Sequence, residues 1–401
     1  MKWKAYPEYK DSGVEWLGEV PSHWETRPLK YIAQFVNGAP FRPGDWLHEG
    51  VPIIRIENLN GGEAFNYTNL AVETRYHVCE GDLLFGWSGN RGTSFGPFIW
   101  KRPGLHYLNQ HIFRVANYRL DKAYLYWVLK ALTHQVEKQA HGIIGMVHIT
   151  KEELGTLATP FISIAELRAI AAFLDRETAR IDAMIAKKER LIALLEEKRT
   201  ALISQAVTKG LDGLLPEVAP SVWQEVRTGR VIKLQRGYDI TEAAYGQGDI
   251  PVISSGGPSG WAENAMVRGP GVVIGRKGTL GTVWYMDGDY WPHDTTLYVR
   301  EFRGSLPRFV FYFLKHMCLE RLDVGAANPT LNRNHVHPLQ VRWPDPQAQS
   351  AIATFLDHET AHIDVVVSKQ RTLIEKLREY RTALVSAAVT GKIDVRDGAM
   401  I

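Results

Sequence analysis

The sequence predicts a mixed α/β protein in which two globular target-binding domains are held apart by two long helices packed as an antiparallel coiled coil. Three observations lead to this prediction. A 44-residue helical segment occurs twice, each copy has the apolar spacing of a coiled coil, and short strand-like runs precede each copy. The chain is therefore expected to be a tandem repeat with pseudo-twofold character.

The repeat is the strongest of these observations. Residues 169–212 return as residues 351–394 at an offset of 182 without a gap, and 25 of the 44 aligned residues are identical. Pro52-Ile53-Ile54 and Pro251-Val252-Ile253 also align, at an offset of 199. The first globular domain therefore carries about 17 more residues than the second, from the difference 199 − 182. Two diverged domains on a repeated scaffold are expected to recognise different targets.

The segment boundaries follow from these patterns. We predict a first globular domain over 1–160, a first long helix within 161–212, a second globular domain over 213–342, and a second long helix with a C-terminal tail over 343–401. Runs rich in branched and aromatic residues predict strands in each globular domain. These runs are 53–56, 83–87 and 112–115 in the first domain and 252–254, 272–274 and 296–299 in the second. Each domain also has one apolar helix, at 123–132 and 308–317.

The long helices are predicted over 170–208 and 352–390, because neither range contains Pro or Gly. Apolar residues recur at spacings of three, four and seven, with charged residues on the opposite face. Gly210 and Gly391 fall where the helices are expected to end. Burial of one apolar stripe against the other gives the antiparallel pair, and a core helix of an ordinary bundle is the alternative.

Composition sets limits on partners and compartment. A chain of 401 residues with 45% hydrophobic content predicts two or three globular domains. A net charge of +3 permits a DNA partner without requiring one. We interpret Cys79 and Cys318 as reduced, buried residues of a cytoplasmic protein. No apolar run approaches the roughly 18 residues of a membrane span, and the N-terminus lacks the apolar core of a signal peptide, so no membrane partner is expected.

Two glycine-rich loops, 89–94 and 275–281, are candidate contacts for nucleic acid. Each follows a predicted strand and combines glycines with Arg, Lys, Asn or Thr. Such loops allow close approach to phosphates, and Arg and Asn match the edges of guanine and adenine. The alternative is a hairpin turn with solvated charges. The candidate DNA-binding residues are Asn58, Asn90, Arg91, Thr93, Asn109, Gln110, His111, Arg276, Lys277, Thr279, His293 and Asp294.

No segment carries a recognisable catalytic or metal-binding motif. The run 271–279 has the glycines and the lysine of a phosphate loop, but Gly278 separates Lys277 from Thr279, so we exclude an ATP site. His335 and His337 have no second cluster of ligands near them in sequence, and we interpret them as structural or surface histidines. The sequence predicts no catalytic residue and no metal site.

Several segments resemble those of the specificity (S) subunits of type I restriction–modification systems. The opening segment YKDSGVEWLGEVPSHW, residues 9–24, is similar to the start of those subunits. The motifs FLDRETARID at 173–182 and RTALISQAVT at 199–208 resemble the helical regions of the family, and both recur after Ala351. The helix entries depart from the family pattern, since Pro160-Phe161 and Pro344-Asp345 stand where Pro-Pro is common.

The resemblance implies that each target recognition domain binds one half of a split, asymmetric site in double-stranded DNA, while the paired helices fix the distance between the halves. It implies two modification (methyltransferase) subunits and restriction (translocase and nuclease) subunits as partners. S-adenosylmethionine, ATP and Mg²⁺ are then expected in those partners, with no cofactor and no enzymatic activity in this chain. The alternatives are a nuclease or methyltransferase with a degenerate active site, and a coiled-coil scaffold that joins two protein-binding domains.

Overall fold

The computed structural model describes residues 3–90, 92–139, 146–212, 214, 222–241, 245–246, 248–322 and 329–396. The chain divides into two compact units, one formed by residues 1–187 with 373–401 and the other by residues 188–372. Each unit contains one globular half of the chain and a part of each long helix. This division differs from the four consecutive segments expected from the sequence, because the long helices pass from one unit into the other.

The first unit is built from short strands and a few helices. The strands are β1 (Tyr9–Asp11), β2 (Glu19–Pro21), β3 (Glu25–Pro28), β4 (Gln34–Asn37), β5 (Val51–Ile54), β6 (Asn66–Thr68), β7 (His77–Val78), β8 (Leu83–Gly86), β9 (Ser88–Asn90), β10 (Gly96–Ile99), β11 (His106–Leu108), β12 (Ile112–Ala116), β13 (Met146–His148) and β14 (Ala158–Phe161). The helices are α1 (Ile56–Leu59), α2 (Lys122–Gln139), α3 (Lys151–Thr156) and the start of α4 (Ile164–Lys209), with 3₁₀ turns at Leu29–Tyr31, Pro43–Asp45 and Thr74–Tyr76.

Strand β8 lies inside the main sheet of the first unit, which is antiparallel with the order β10-β8-β12-β4. A second sheet has the order β6-β5-β11-β7, and β5 and β11 are parallel. Leu83, Leu84 and Phe85 of β8 are at most 1% exposed, so both faces of this strand are covered. A strand fixed in this way gives the following loop a rigid base.

The second unit contains the strands β15 (Trp223–Arg227), β16 (Lys233–Arg236), β17 (Ile250–Ser254), β18 (Gly257–Ala262), β19 (Gly271–Gly275), β20 (Val283–Met286), β21 (Trp291–Pro292), β22 (Thr296–Glu301) and β23 (Gln340–Pro344). Its helices are α5 (Thr228–Val231), α6 (Pro307–His316), α7 (Arg333–Val336) and the start of α8 (Pro346–Val389), with a 3₁₀ turn at Leu319–Leu322.

The second unit repeats the topology of the first. Its main antiparallel sheet has the order β20-β19-β22-β16, which matches β10-β8-β12-β4 strand for strand. β17 and β21 are parallel, as β5 and β11 are, and β15 pairs with β23 as β3 pairs with β14. Val272, Val273 and Ile274 of β19 are fully buried. A strand overlaps each of the six runs predicted from the sequence, and α2 and α6 overlap the two predicted apolar helices.

The predicted long helices are confirmed as α4, of 46 residues, and α8, of 44 residues. Gly210 and Gly391 follow them with φ of +80° and +73°, the left-handed conformation common after a helix C-terminus. Parts of both helices also enter the core of the second unit, where Ile203, Val207 and Leu356 are at most 7% exposed. The helices therefore serve as core elements as well as connections.

Equivalent residues of the repeat form equivalent ion pairs between α4 and α8. In the first unit, Arg381 donates to the two carboxylate oxygens of Asp182 at 2.9 and 3.2 Å. In the second unit, Arg199 forms an ion pair with Asp364. Both the arginines and the aspartates differ by the repeat offset of 182 residues. The identical residues at these positions therefore make the same kind of contact in each unit.

The two helices run antiparallel within the second unit. Lys188 Nζ donates to Gln370 Oε1 at 3.0 Å, and further along α4 Arg199 contacts Asp364. The partner number on α8 falls as the residue number on α4 rises, which defines the antiparallel direction. Lys188 and Gln370 are themselves equivalent in the repeat, because they too are 182 residues apart.

The structure corrects one expectation about the cysteines. Both are free thiols, but Cys79 is exposed and Cys318 is half-buried, whereas the sequence analysis expected two buried residues. Cys79 lies in the turn between β7 and β8, where its backbone N–H donates to Asp82 Oδ2 at 2.9 Å. The turn is held by that backbone bond, and the side chain of Cys79 points away from the core.

The C-terminal tail packs against the N-terminal segment of the first unit at Gly391. A Cβ atom at this position would clash with the ring of Pro21 and lie 2.9 Å from the indole of Trp24, which is fully buried. Tyr9 Oη also donates to the carbonyl oxygen of Gly391 at 3.0 Å. The absence of a side chain at residue 391 is therefore a packing requirement as well as a conformational one.

We expect Gly391→Ala to destabilise the protein by about 2–4 kcal/mol, because a positive φ costs about 1 kcal/mol and overpacking adds 1–3 kcal/mol. The matched control is Gly13→Ala. Gly13 has φ of +67° and nothing within 4 Å of an added Cβ, so only the backbone term should appear. Urea denaturation of the full chain measures both losses. Equal losses in the two variants would contradict the packing argument.

Candidate nucleic-acid interface

Three segments of the second unit meet beyond the end of β19: the loop 275–281, the turn 293–295 and the end of β16. The backbone N–H groups of Arg276 and Lys277 donate to the carbonyl oxygen of Thr295 at 2.9 and 3.1 Å. The N–H of Gly237 donates to the carbonyl of Thr296 at 3.0 Å. Gly237 lies so close to the carbonyl of His293 that no side chain would fit. Backbone contacts therefore fix these segments against one another.

The side chains at this junction form a charged network. Arg276 Nη1 donates to the carbonyl oxygen of Asp294 at 3.0 Å, and Arg236 Nη2 donates to the Asp294 carboxylate at 2.9 Å. His293 Nδ1 lies 3.1 Å from the other oxygen of that carboxylate. Burial, and then the charge of Arg236, lowers the pKa of Arg276 below its usual value. The structure thus brings together three predicted residues, Arg276, His293 and Asp294.

Arg236 belongs to this junction, but the sequence analysis missed it. The signal was available in the repeat, because Arg236 precedes Gly237, and Gly237 aligns with Gly38 at the offset of 199 that relates the two globular domains. Two glycines at equivalent positions mark a close backbone approach, and the residue before each one lies next to that approach. Arg236, Arg276, Lys277, His293 and Asp294 are called the second loop cluster below.

The first unit builds the same junction from different residues. Gly38 packs on the carbonyls of Leu108 and Asn109, as Gly237 packs on those of Pro292 and His293. Gly86, at the end of β8, pairs with Ile112, as Gly275 of β19 pairs with Thr296. The strand ends, the close glycine and the crossing turn therefore correspond one to one in the two units.

Trp87 occupies the position of Arg276 in the first unit. Trp87 Nε1 donates to the carbonyl of Gln110 at 2.9 Å, as Arg276 donates to the carbonyl of Asp294. The N–H of Ile149 donates to Trp87 O at 3.0 Å, and Leu331 makes the same bond to Arg276 O at 3.0 Å. The sequence analysis missed Trp87 because it aligned the loops by their glycines and not by the ends of the strands.

Equivalent positions of the two junctions carry different chemistry. The first junction has amides, an indole and imidazoles, since the Trp87 ring lies 5.5 Å from that of His111 and 4.8 Å from that of His148. The second has guanidinium, ammonium and carboxylate groups. The corresponding residues are Asn37 and Arg236, Trp87 and Arg276, Ser88 and Lys277, and Gln110 and Asp294. Asn37, Trp87, Asn90, Gln110 and His111 are called the first loop cluster below.

The remaining predicted residues fall into three groups. Asn90, Thr93, Gln110 and His111 are exposed in the first unit, and Lys277 and Thr279 are exposed in the second. Arg91 lies outside the described residues. Asn58 and Asn109 are buried, with exposures of 3% and 9%.

The amide of Asn58 is committed to its own loop. Asn58 Oδ1 accepts from the N–H of Arg55 at 2.9 Å, and Nδ2 donates to the carbonyls of Gly62 and Ala64 at 3.1 and 2.9 Å. The oxygen of Asn109 accepts from the N–H of His111 at 3.4 Å. These contacts give both asparagines a structural role, so neither is carried into the proposal below. Sequence alone could not separate a loop-bracing amide from an exposed one.

His337 braces a strand of the second unit. Its Nε2 accepts from the N–H of Leu234 at 3.0 Å, which requires the neutral ring at that nitrogen, and burial lowers its pKa below the usual value. His335 is exposed. Over the described ranges, no three His, Cys, Asp or Glu residues group closely enough to hold a metal ion. Over the same ranges, none of the helices combines the length and apolar character needed to cross a membrane.

Comparison with known proteins gives the family. Residues 21–193 and 220–375 each match the type I restriction modification DNA specificity domain. The type I restriction enzyme EcoBI specificity subunit of Escherichia coli is 25% identical over 247 residues, which cover 57% of this chain and 51% of that protein. The matched region thus spans about half the length of that relative. The type I restriction enzyme MjaX specificity subunit of Methanocaldococcus jannaschii is 23% identical, with 95% of this chain and 96% of that protein covered.

Solved structures share the fold at low sequence identity. A chain from a study of complex assembly and conformational transition of the type I R-M system superposes with a TM-score of 0.66 at 13% identity, covering 92% of this chain and 98% of that one. The HsdS subunit of Thermoanaerobacter tengcongensis gives a TM-score of 0.53 at 14% identity, with 93% and 98% covered. With its two copies of the specificity domain in a repeated mixed α/β fold, the chain belongs to the type I restriction–modification specificity family and is a specificity subunit.

Proposed function

We propose that the chain is a non-catalytic subunit that recognises a bipartite, asymmetric site in double-stranded DNA, one half with each unit. Adenine methylation and ATP-dependent restriction at that site would then be carried out by partner subunits. One observation carries the proposal: the two units build the same junction of loops, with different exposed side chains at equivalent positions. A repeated scaffold with diverged contact residues suits two different half-sites.

The two loop clusters differ in the base edges that they match. In the second loop cluster, Arg276 and Arg236 offer guanidinium forks, which match the O6 and N7 acceptors of guanine, and exposed Lys277 suits a phosphate. The Asp294 carboxylate orients Arg236. In the first loop cluster, exposed Asn90 and Gln110 offer amides, which match the donor and acceptor of adenine. Thr93 and Thr279 are further exposed candidates beside these clusters.

The long helices would fix the spacing between the two half-sites as an antiparallel coiled coil. Support comes from the helix lengths of 46 and 44 residues and from the equivalent Arg–Asp pairs between α4 and α8 in each unit. In this view the target recognition domains span 1–160 and 213–342, and the spacer segments span 161–212 and 343–401. A continuous helix sets a defined length of 1.5 Å per residue, which a flexible linker does not.

Apolar positions on the long helices are suited to binding the partners. Leu191 in the second unit and Leu373 in the first unit are 40% and 42% exposed, and they are equivalent in the repeat. One such position in each unit suits two copies of a modification subunit, with restriction subunits joining the assembly in the cytoplasm. S-adenosylmethionine, ATP and Mg²⁺ would be bound by those partners.

DNA binding by the full complex with the modification subunits tests this proposal. After selection from a random-sequence pool, we expect the enriched DNA to be bound at least about 10³-fold more tightly than unselected DNA. The logarithm of affinity should fall linearly with the logarithm of salt concentration. A complex that forms but shows no sequence selectivity would indicate a protein scaffold. Binding of S-adenosylmethionine or Mg²⁺ by the chain alone would instead indicate an enzyme.

A further inference from the structure

A large cleft in the second unit lies outside the second loop cluster. It has a volume of about 820 Å³ and is bounded by the C-terminal part of α4, the end of α6 and strand β23. A volume of this size suits a small ligand or a fragment of a larger one. Its lining includes five basic side chains, which define the cationic cleft: Arg199, Lys315, His316, Arg321 and Arg342. No carboxylate belongs to the described residues that line it.

One donor in the cationic cleft is buried without a partner. Arg199 uses Nη1 on Glu196 at 3.0 Å and Nη2 on Asp364, both outside the lining. Its Nε is buried and has no hydrogen-bond partner in the part of the chain that the structure describes. In the first unit the equivalent Arg381 donates its Nε to Asp182 at 2.9 Å. A buried N–H without an acceptor is costly, and an anion in the cleft would supply one.

The basic groups of the cationic cleft also repel one another. Lys315 keeps part of its side chain in solvent, but desolvation and then the charge of Arg199 lower the pKa of its ammonium group. Burial lowers the pKa of His316. Asp364 and Glu196 offset part of this repulsion from outside the lining. A bound anion would favour the charged forms of both groups.

The repeat shows which of these cations belong to the common scaffold. Trp127 of α2 donates to Asp175, and Tyr312 of α6 donates to Asp357, the equivalent aspartate, so the two helices align at an offset of 185. That alignment places Lys130 at the position of Lys315, and the long helices place Arg381 at that of Arg199. These two cations are therefore repeated.

Two other cations occur in the second unit only. The same alignment places Ala131 at the position of His316. Pairing of β14 with β3, and of β23 with β15, places Pro160 at the position of Arg342. Arg321 follows the end of α6, at a point where α2 continues to Gln139. Cations added to one copy of a scaffold indicate a function that the scaffold itself does not need.

We propose that the cationic cleft binds a phosphate group. Guanidinium groups bind phosphate in a bidentate manner, and the hydroxyl of Ser204 in the lining adds a further donor. The phosphate belongs either to the backbone of bound DNA or to a free nucleotide. The cleft borders the loop 275–281, since a Cβ at Gly281 would lie 2.8 Å from the N–H of Glu320, next to Arg321. Only the DNA source rests on the function proposed above.

The test compares Arg321→Gln/Arg342→Gln with a control, Lys369→Gln/Arg371→Gln, which removes two exposed cations of α8 outside the cleft. Arg321 and Arg342 are also exposed, so neither double variant should unfold. Calorimetry of the full chain with inorganic pyrophosphate forms the first arm. We expect the cleft variant to bind at least about tenfold more weakly, with the control unchanged.

The second arm measures the salt dependence of DNA binding by the complex with modification subunits. If the source is DNA, the slope of log affinity against log salt falls by about two in the cleft variant. Weaker pyrophosphate binding with an unchanged slope assigns the cleft to a free nucleotide. Unchanged pyrophosphate binding together with an unchanged slope overturns the proposal, as do equal effects in the control. Selective DNA binding by the control complex tests the proposed function separately.

Discussion

Arg276→Ala is expected to remove recognition at one half of the DNA site while the other half and subunit assembly stay intact. Arg276 lies at the end of buried strand β19, and its guanidinium is held by the carbonyl of Asp294 at 3.0 Å. Loss of one bidentate contact to a base costs about 1–3 kcal/mol, or about 5- to 150-fold in discrimination at that position. Sequencing the DNA bound by the complex from a random pool measures the change at every position.

Two further variants separate base recognition from phosphate contact. Arg276→Lys keeps the charge but loses the fork, so it should behave like Arg276→Ala if the residue contacts a base, and like the native protein if it contacts a phosphate. Trp87→Ala changes the equivalent position of the first loop cluster and should alter only the other half-site. Native specificity in all three variants would exclude the loop clusters as contact surfaces.

Lengthening both long helices by four residues is expected to increase the spacing between the half-sites. Insertions after Lys187 in α4 and after Lys369 in α8 are equivalent in the repeat. Four residues add about 6 Å and turn the helix by about 400°, so the apolar stripe stays within about 40° of its original face. A length of 6 Å corresponds to one or two base pairs at about 3.4 Å each. Selection from DNA pools with variable spacers should show that shift.

The matched control keeps the length of the helices and replaces Lys187 and Lys369, both exposed, with alanine. This control should retain the native spacer. A two-residue insertion turns the stripe by about 200° and is expected to disrupt the helix pair itself. An unchanged spacer in the four-residue variant, with a complex that still forms, would show that the helices do not set the distance.

Much of the fold could be predicted because it depends on local patterns. The fully buried run Val272-Val273-Ile274 has the branched side chains of a covered strand, and β19 forms there. The long helices end at Gly210 and Gly391 because these glycines adopt the left-handed conformation that other residues disfavour. The repeat added more, since each element of one unit predicts its counterpart in the other.

The candidate site was harder to predict because it depends on contacts that are distant in sequence. Trp87 and Arg276 are recognised as equivalent only when the pairing of β8 with β12 and of β19 with β22 is known. Asn58 has the chemistry of a base contact, but three hydrogen bonds within its own loop use its amide. The residue type gave no indication of that burial. Side-chain exposure is set by the tertiary fold, which residue types and spacing do not specify.

The most direct test of the central claim is a map of methylated adenines in a host genome in which this chain is co-expressed with its modification subunit. Single-molecule sequencing reports each modified base with its context. The account predicts one split, asymmetric motif, and exchange of residues 1–160 for those of another specificity subunit should change only one half of it. A stable complex that leaves the genome unmethylated, or methylates one continuous sequence, would contradict it.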